Sequence, residues 1–362
     1  MRGTQKIKGI VLAGTYQWGE TAFETLLPRP LVPVAQAPLI SYTLEWLRDG
    51  GVVDATICAN SAGRAIQGHF GDGRRLGMTL GYYEDWSPRG PAGCARDASL
   101  QSAAQTFVIA DGTVIPTVNL EGLLETHAVC QAALTILVHH EPGAGRSNVA
   151  PGGTYIFDRR VFDSVPATGF QDIKETLIPR LYLDGERIVT HTAYGACPRV
   201  LNARTYLAVN HWMVERLAHR PGALEHHEIR GEALVHTSAR VDDSARLVGP
   251  VLVGPDVTIR AGATVVGPAT IGASSTIDEG ALVSRSVAWS RCGVGAGAVV
   301  DRCLLADEAV VERNASVFST LRAPERRINQ SLRDLATEQN RAPRAARPAA
   351  LATRLAERVG SA

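Results

Sequence analysis

The chain lacks net charge: 37 lysines and arginines stand against 36 aspartates and glutamates in 362 residues. That balance removes the electrostatic case for a nucleic-acid or acidic-membrane partner. It also lacks any apolar run of membrane-spanning length. The basic start, Met1 to Lys8, leads into a strand-like segment and not into a signal-peptide apolar region, so a cytoplasmic location is expected. The six cysteines, Cys58, Cys94, Cys130, Cys197, Cys292 and Cys303, lack metal-type spacing and read as free thiols of a reducing compartment. What is present, 45% hydrophobic and 20% charged residues, is an ordinary globular composition, long enough for two domains with cores of their own.

The first part of the chain alternates strand and helix signals. Ile7 to Ala13 is a continuous apolar run ending at a glycine, the pattern of a buried parallel strand. Pro38 to Arg48 places Leu39, Ile40, Leu44 and Leu47 on one helical face, with proline near its start. Strands are expected at Val52 to Ala59, Phe107 to Ala110, Leu134 to Val138 and Tyr155 to Phe157. Helical turns are expected to close at Ile66 to Phe70 and to run over Ile173 to Leu181. This alternation predicts an α/β doubly wound sheet.

After about residue 220 the period changes to six. Val235, Val241, Leu247, Val253, Ile259, Val265, Ile271, Ile277 and Val283 recur every sixth residue, with small residues between them. One aliphatic per six residues marks a parallel β-helix of hexapeptides. After a slip near Val283 the register is expected to resume at Val287, Val299, Leu305, Val311 and Val317. Val248, Val251, Leu252, Val257, Val266 and Leu282 lie off the inward register, and some of them are expected to form an outward apolar patch. His236 is the only histidine within the repeats and no loop interrupts them, which argues against the acyl transfer that some hexapeptide proteins perform. Beyond residue 320, nine arginines face four acids, the composition of a flexible basic extension with short helical turns around Ile328 to Leu335.

Several segments carry a family frame. Gly9 to Ile40 reads G-I-V-L-A-G-T-Y-Q-W-G-E-T-A-F-E-T-L-L-P-R-P-L-V-P-V-A-Q-A-P-L-I. Ile66 to Tyr82 holds a Phe70-Gly71-Asp72-Gly73 turn, and Pro88 to Gly93 reads P-R-G-P-A-G. These segments resemble the sugar-1-phosphate nucleotidyltransferases, whose opening is V-L-A-G-G-x-G-T-R-L followed by P-K-P-L-x-P-V-x-x-x-P-L-I, and whose later loop is P-L-G-T-A-G. The arrangement is similar to mannose-1-phosphate guanylyltransferases and covers about residues 1 to 320. Glycines in such turns let backbone N–H groups approach phosphate oxygens.

The chemistry departs from that frame. Thr15 and Gln17 replace two loop glycines, Gly19 replaces the loop arginine, and Arg29 replaces the lysine. Val108 to Thr113 reads V-I-A-D-G-T, with Thr113 where the family has a magnesium-binding aspartate and Asp111 two residues earlier. In Gly195 to Asn210, Arg199 stands at the second such aspartate, while Tyr206, Leu207 and Asn210 keep the frame. A cation there repels magnesium. The family's E-K-P lysine is missing: His139-His140-Glu141-Pro142 runs almost directly into Ser147-Asn148, and Pro151 replaces the second asparagine of the following motif. The histidine pair is either an anion contact or, in the plainer reading, structural.

The resemblance implies a Rossmann-like nucleotidyltransferase domain over residues 1–220, a linker at 221–232, a left-handed β-helix over 233–320 and a basic tail over 321–362. Arg29 is the expected catalytic cation. Ala13, Gly14, Gly90, Ala92, Gly93, Asp111 and Gly153 are expected at the nucleotide or sugar, with Asp111 the one metal-ligand candidate. The losses predict an impaired enzyme that binds a nucleotide sugar, without a cofactor, as a homo-oligomer or beside an active paralogue. The alternative is an active, magnesium-dependent enzyme that joins an NTP to a sugar-1-phosphate and releases pyrophosphate, for example a mannose-1-phosphate guanylyltransferase.

Overall fold

The computed structural model describes residues 6–14, 22–60, 62–85, 89–140, 149–220, 222 and 224–324. Thr15 to Gly19, Pro88, Glu141, Pro142, Ser147, Asn148 and the tail past residue 324 lie outside the described residues.

The first part is one seven-stranded sheet with helices on both faces. Its strands are β1 (Ile7–Leu12), β2 (Asp54–Ala59), β3 (Thr79–Glu84), β4 (Thr106–Asp111), β5 (Leu134–His140), β6 (Val149–Asp158) and β7 (Ile188–Tyr194). Their order is β3-β2-β1-β4-β6-β5-β7. The strands from β3 to β4 run parallel, β6 is antiparallel to both β4 and β5, and β7 is parallel to β5. Besides a short helix at Ala22–Leu26, the α-helices among the described residues are α1 (Leu39–Asp49), α2 (Gly63–Phe70), α3 (Gly90–Ser99), α4 (Leu120–Val129), α5 (Ile178–Leu183) and α6 (Ala203–Ala218).

Alternation along the strands divides the core. Ile10, Phe107, Ile109 and Phe157 pack with Ala92, Ala95, Leu177 and Leu181 on one face. Val11, Val108 and Ile156 pack with Ile40, Leu44, Leu47, Leu120 and Leu123 on the other. Successive strand side chains point to opposite faces, so a short apolar run can serve both layers. The expected helix over Ile173 to Leu181 begins as a π-helical turn, Ile173–Leu177, and continues as α5.

The second part is a stack of coils with three parallel faces. The first coils advance by 18 residues, as in Val235↔Val253, Val241↔Ile259 and Leu247↔Val265. Later coils advance by 17, as in Ile271↔Ala288, Ile277↔Val294 and Val283↔Val300. The inward row past Val283 is therefore Ala288, Val294, Val300, Leu305, Val311 and Val317. This corrects the expected register: Val287 pairs with Thr270 and Val299 with Leu282, both one position off the inward row. The cause is a corner. Gly267 and Pro268 separate Val266 from Ala269, whereas Arg285 alone separates Ser284 from Ser286, with a left-handed φ of 44°. Arg302 repeats that single-residue corner with φ 55°.

His227–Arg230, in the segment read as a linker, is a strand paired antiparallel with Ala233–His236, where it covers the open edge of the first coil. Leu321 and Arg322 pair with Leu304 and Leu305 and extend the same face.

That face docks on the α/β domain. Leu252, Val287, Trp289 and Leu304 pack against Phe23, Val34, Tyr206, Val209 and Met213 in one buried cluster. The Trp289 indole N–H donates to the Tyr206 hydroxyl at 2.7 Å, and that hydroxyl donates to the Pro33 carbonyl. Leu252 is thus outward-facing on the coil yet fully buried, and Val251 and Val257 are buried within the coil stack. The expected outward patch shrinks accordingly, with Val248 left 43% exposed. Among the described residues, no helix is long and apolar enough to cross a membrane.

Candidate functional site

The chain order places a crevice. After β1 the chain builds β2 and β3 on one side, then crosses to place β4 on the other. A parallel sheet opens a ligand crevice at such a switch point, outside the carboxyl ends of the strands. A cleft of about 350 Å3 lies there, lined by Leu12 and Gly14 at the end of β1, Asn60 after β2, Asp85 after β3, and Asp111 and Thr113 at the end of β4. Arg29, Gly90, Gly153, Tyr155, Asp172, Lys174 and Arg199 complete the wall.

Of the residues singled out from the sequence, Gly14, Arg29, Gly90, Asp111 and Gly153 come together on this cleft. Ala13, Ala92 and Gly93 do not. Ala13 and Ala92 are fully buried in the two core layers, and a methyl on Gly93 would lie 2.9 Å from Arg89 Cβ. These three keep the backbone frame close-packed and do not line the cleft with side chains. His139 is also buried, beneath Gly152, and burial lowers its pKa, so the ring is neutral. His140 stacks edge-on with Tyr194.

Gly90 is held by the protein itself. Its φ is +71°, and a methyl there would sit 2.5 Å from the Gln171 carbonyl oxygen. The same carbonyl accepts from the Ala92 N–H at 3.0 Å, while the Gln171 N–H donates to the Arg89 carbonyl at 2.7 Å. A helix-start amide that would otherwise be available to a phosphate is thereby spent on the 169–172 segment. The strap delivers Asp172 and Lys174 to the cleft. Asp172 caps the π-helical turn, its Oδ1 accepting from the N–H groups of Lys174 at 2.7 Å and Glu175 at 2.9 Å. The sequence signal for this was an aspartate cap before Ile173, Leu177 and Leu181. It marks a helix start and says nothing of a cleft.

Asp111 and Arg199 meet over Gly153. A methyl on Gly153, at φ +73°, would lie 3.0 Å from Arg199 Nη2 and 3.1 Å from Asp111 Cβ. Arg199 reaches this point through an antiparallel bridge with Val114, in the turn after β4. Its Nη2 donates to the Pro151 carbonyl at 3.5 Å. Asp111 Oδ1 accepts from the Thr113 N–H at 2.9 Å and the Thr113 hydroxyl at 2.6 Å. Asp85 Oδ2 accepts from the Arg89 N–H at 3.2 Å, and burial raises its pKa. The Tyr155 phenol is pushed up to about 12, by burial first and then by Asp172, and stays protonated. On the cleft floor the Cys58 thiol, hydrogen-bonded to the Cys94 thiol and buried, is held well above the ordinary thiol range.

Comparison with known proteins now bears on this geometry. The Nucleotidyl transferase family matches residues 23–145, and the GMPPB C-terminal domain family matches residues 229–337. The mannose-1-phosphate guanylyltransferase of Mycobacterium tuberculosis is 23% identical over 278 residues, covering 69% of this chain and 76% of that protein. The glucose-1-phosphate thymidylyltransferase of Streptomyces griseus is 25% identical over 279 residues, covering 68% and 78%. The UTP–glucose-1-phosphate uridylyltransferase of Synechocystis is 23% identical over 289 residues, covering 64% and 74%. Over both of its parts the chain is similar to sugar-1-phosphate nucleotidyltransferases. These three relatives are named for guanylyl, thymidylyl and uridylyl transfer, so the similarity leaves the base open.

Within this nucleotidyltransferase fold, the described residues offer a magnesium ion Asp111 where the family resemblance calls for two aspartates. Magnesium takes carboxylate oxygen in near-octahedral geometry. At the two positions where the family resemblance calls for aspartate, the chain has the Thr113 hydroxyl and the Arg199 guanidinium. Asp111 is the carboxylate beside them, and its Oδ1 already accepts two hydrogen bonds from Thr113. Among the described residues no group of three or more histidines, cysteines or acids is placed to hold a metal.

Proposed function

We propose that this nucleotidyltransferase-family chain binds a nucleotide sugar, or an NTP with a sugar-1-phosphate, in the switch-point cleft but transfers nucleotidyl groups poorly. It then acts in the cytoplasm as a binding or assembly subunit. One observation carries the reading: Arg199 places a permanent cation beside Asp111, where metal-assisted transfer needs a divalent ion to neutralise developing charge. Binding remains supported, because Arg29, Lys174 and Arg199 line one cleft. Affinity on the order of 0.1–1 mM is expected, because Thr15, Gln17 and Gly19 replace the family's loop glycines and arginine. The test is pyrophosphate release from NTPs and sugar-1-phosphates with magnesium. Turnover below about 1 per second is expected, and faster turnover rejects impairment.

An active enzyme is the second reading. It is supported by Asp111 in the cleft and by relatives named for transfer of nucleotidyl groups. Faster turnover in the same assay selects it.

The assembly is proposed to form through residues 233 to 320, either with itself or with an active paralogue. Val310 and Phe318 are 62% and 57% exposed on the coil stack, outside the buried cluster that docks it on the α/β domain, and support that contact. A monomer by light scattering, alone and with the paralogue, rejects it.

A further inference from the structure

We infer that the cleft takes the diphosphate of a nucleotide sugar without a divalent cation, the Arg199 guanidinium and the Lys174 ammonium supplying the positive charge. This rests on the reading above, that the cleft is the phosphate-ligand site.

Three carboxylates and three cations line the cleft: Asp85, Asp111 and Asp172 against Arg29, Lys174 and Arg199. Each carboxylate has one oxygen committed to a nearby N–H, and among the described residues the Oδ1 of Asp85 is buried without a partner. Asp85 holds the Arg89 N–H, Asp111 the Thr113 N–H and hydroxyl, and Asp172 the N–H groups of Lys174 and Glu175. A divalent ion at Asp111 would have only the oxygen that Thr113 leaves open, next to a guanidinium that repels it.

The cations stand in the opposite condition. Among the described residues the Lys174 ammonium takes part in no ion pair, and Arg199 donates to one carbonyl at the long distance of 3.5 Å. Among the described residues no carboxylate lies within ion-pair distance of either charge, although three carboxylates line the same cleft. A planar guanidinium offers paired donors that match phosphate oxygens, and an ammonium adds a point charge with rotatable donors. Gly153 lets the guanidinium approach the end of β4 closely, since a side chain at that position would meet both Arg199 and Asp111. The guanidinium is thus held where the phosphates are expected, as a fixed charge that chelation cannot remove.

Calorimetric titration of the full chain tests this, with GDP-mannose, dTDP-glucose, UDP-glucose and inorganic pyrophosphate as probes. Each is titrated in excess magnesium and in excess EDTA. At least one probe is expected to bind with dissociation constants equal within about twofold in the two buffers. Arg199→Ala and Lys174→Ala are each expected to weaken it about tenfold or more in both, the scale of a lost charge-assisted hydrogen bond. Arg199→Asp is expected to bind weakly in EDTA and to be tightened by magnesium. Binding by the wild type only with magnesium overturns this inference and leaves the proposed ligand class standing. Binding unchanged in both alanine variants also overturns it. No heat with any probe in either buffer overturns the ligand reading as well. Should Arg199→Ala fail to fold, Lys174→Ala, at an exposed position, carries the same test.

Discussion

In the α/β domain single residues tie distant segments together, whereas in the β-helix each residue repeats the work of its counterpart one coil earlier. Arg89 shows the first arrangement. Its buried guanidinium pairs with Asp97 at 3.0 Å and donates to the carbonyls of Gly169 at 2.7 Å and Pro166 at 2.9 Å. One side chain thereby fixes the start of α3 against the segment that brings Asp172 and Lys174 to the cleft. Ile277 shows the second. It sits fully buried between Ile259 and Val294, one aliphatic in a row of aliphatics. The difference teaches where specificity is stored. A stack sums many similar contacts between neighbours, while a cleft depends on a few ties that nothing else duplicates.

The largest effect is expected at such a tie. Arg89→Ala removes an ion pair and two carbonyl bonds at once, and should lower the unfolding free energy by about 3–5 kcal/mol. Urea denaturation measures it, and a loss below about 1 kcal/mol would show that the tie is redundant. In the stack, Ile277→Val deletes one methylene from a row that continues on both sides. Its expected cost is about 0.5–1.5 kcal/mol by the same measurement. A loss as large as that of Arg89→Ala would erase the contrast between the two regions.

The smallest expected effect is that of mild acid. Burial lowers the pKa of His127, His139 and His211 in the α/β domain, and of His227 at the rim of the stack. A histidine whose folded pKa lies below its unfolded value of about 6.5 binds fewer protons folded than unfolded. Stability is therefore lost as pH falls through about 6.5 and towards the folded values. The inward rows of the stack hold aliphatics, alanine and thiols, with no histidine. The melting temperature should drop across this window, and His139→Gln should flatten part of the drop. Melting unchanged by acid would argue that these rings stay solvated.

The sequence alone determined the two-part architecture, because a strand run and a six-residue period are each set by which side chains must point inward. It also determined most of the cleft frame. Gly14, Arg29, Gly90, Asp111 and Gly153 follow from strand ends and turns that the family resemblance brings to one switch point. Other features were decided only in three dimensions. The register beyond Val283 depends on Arg285 and Arg302 adopting left-handed corners, which side-chain type does not announce. Leu252 lies off the inward row yet is buried, because the α/β domain covers that face. Ala13, Ala92 and Gly93 share motifs with cleft-lining neighbours but lie in packing. Asp172 and Lys174 reach the cleft because Gln171 is strapped to the start of α3, some 80 residues earlier in the chain. Periodicity reports the side of an element that a core covers. Which groups face one another across a cleft depends on contacts between segments far apart in sequence, and those exist only once the chain has folded.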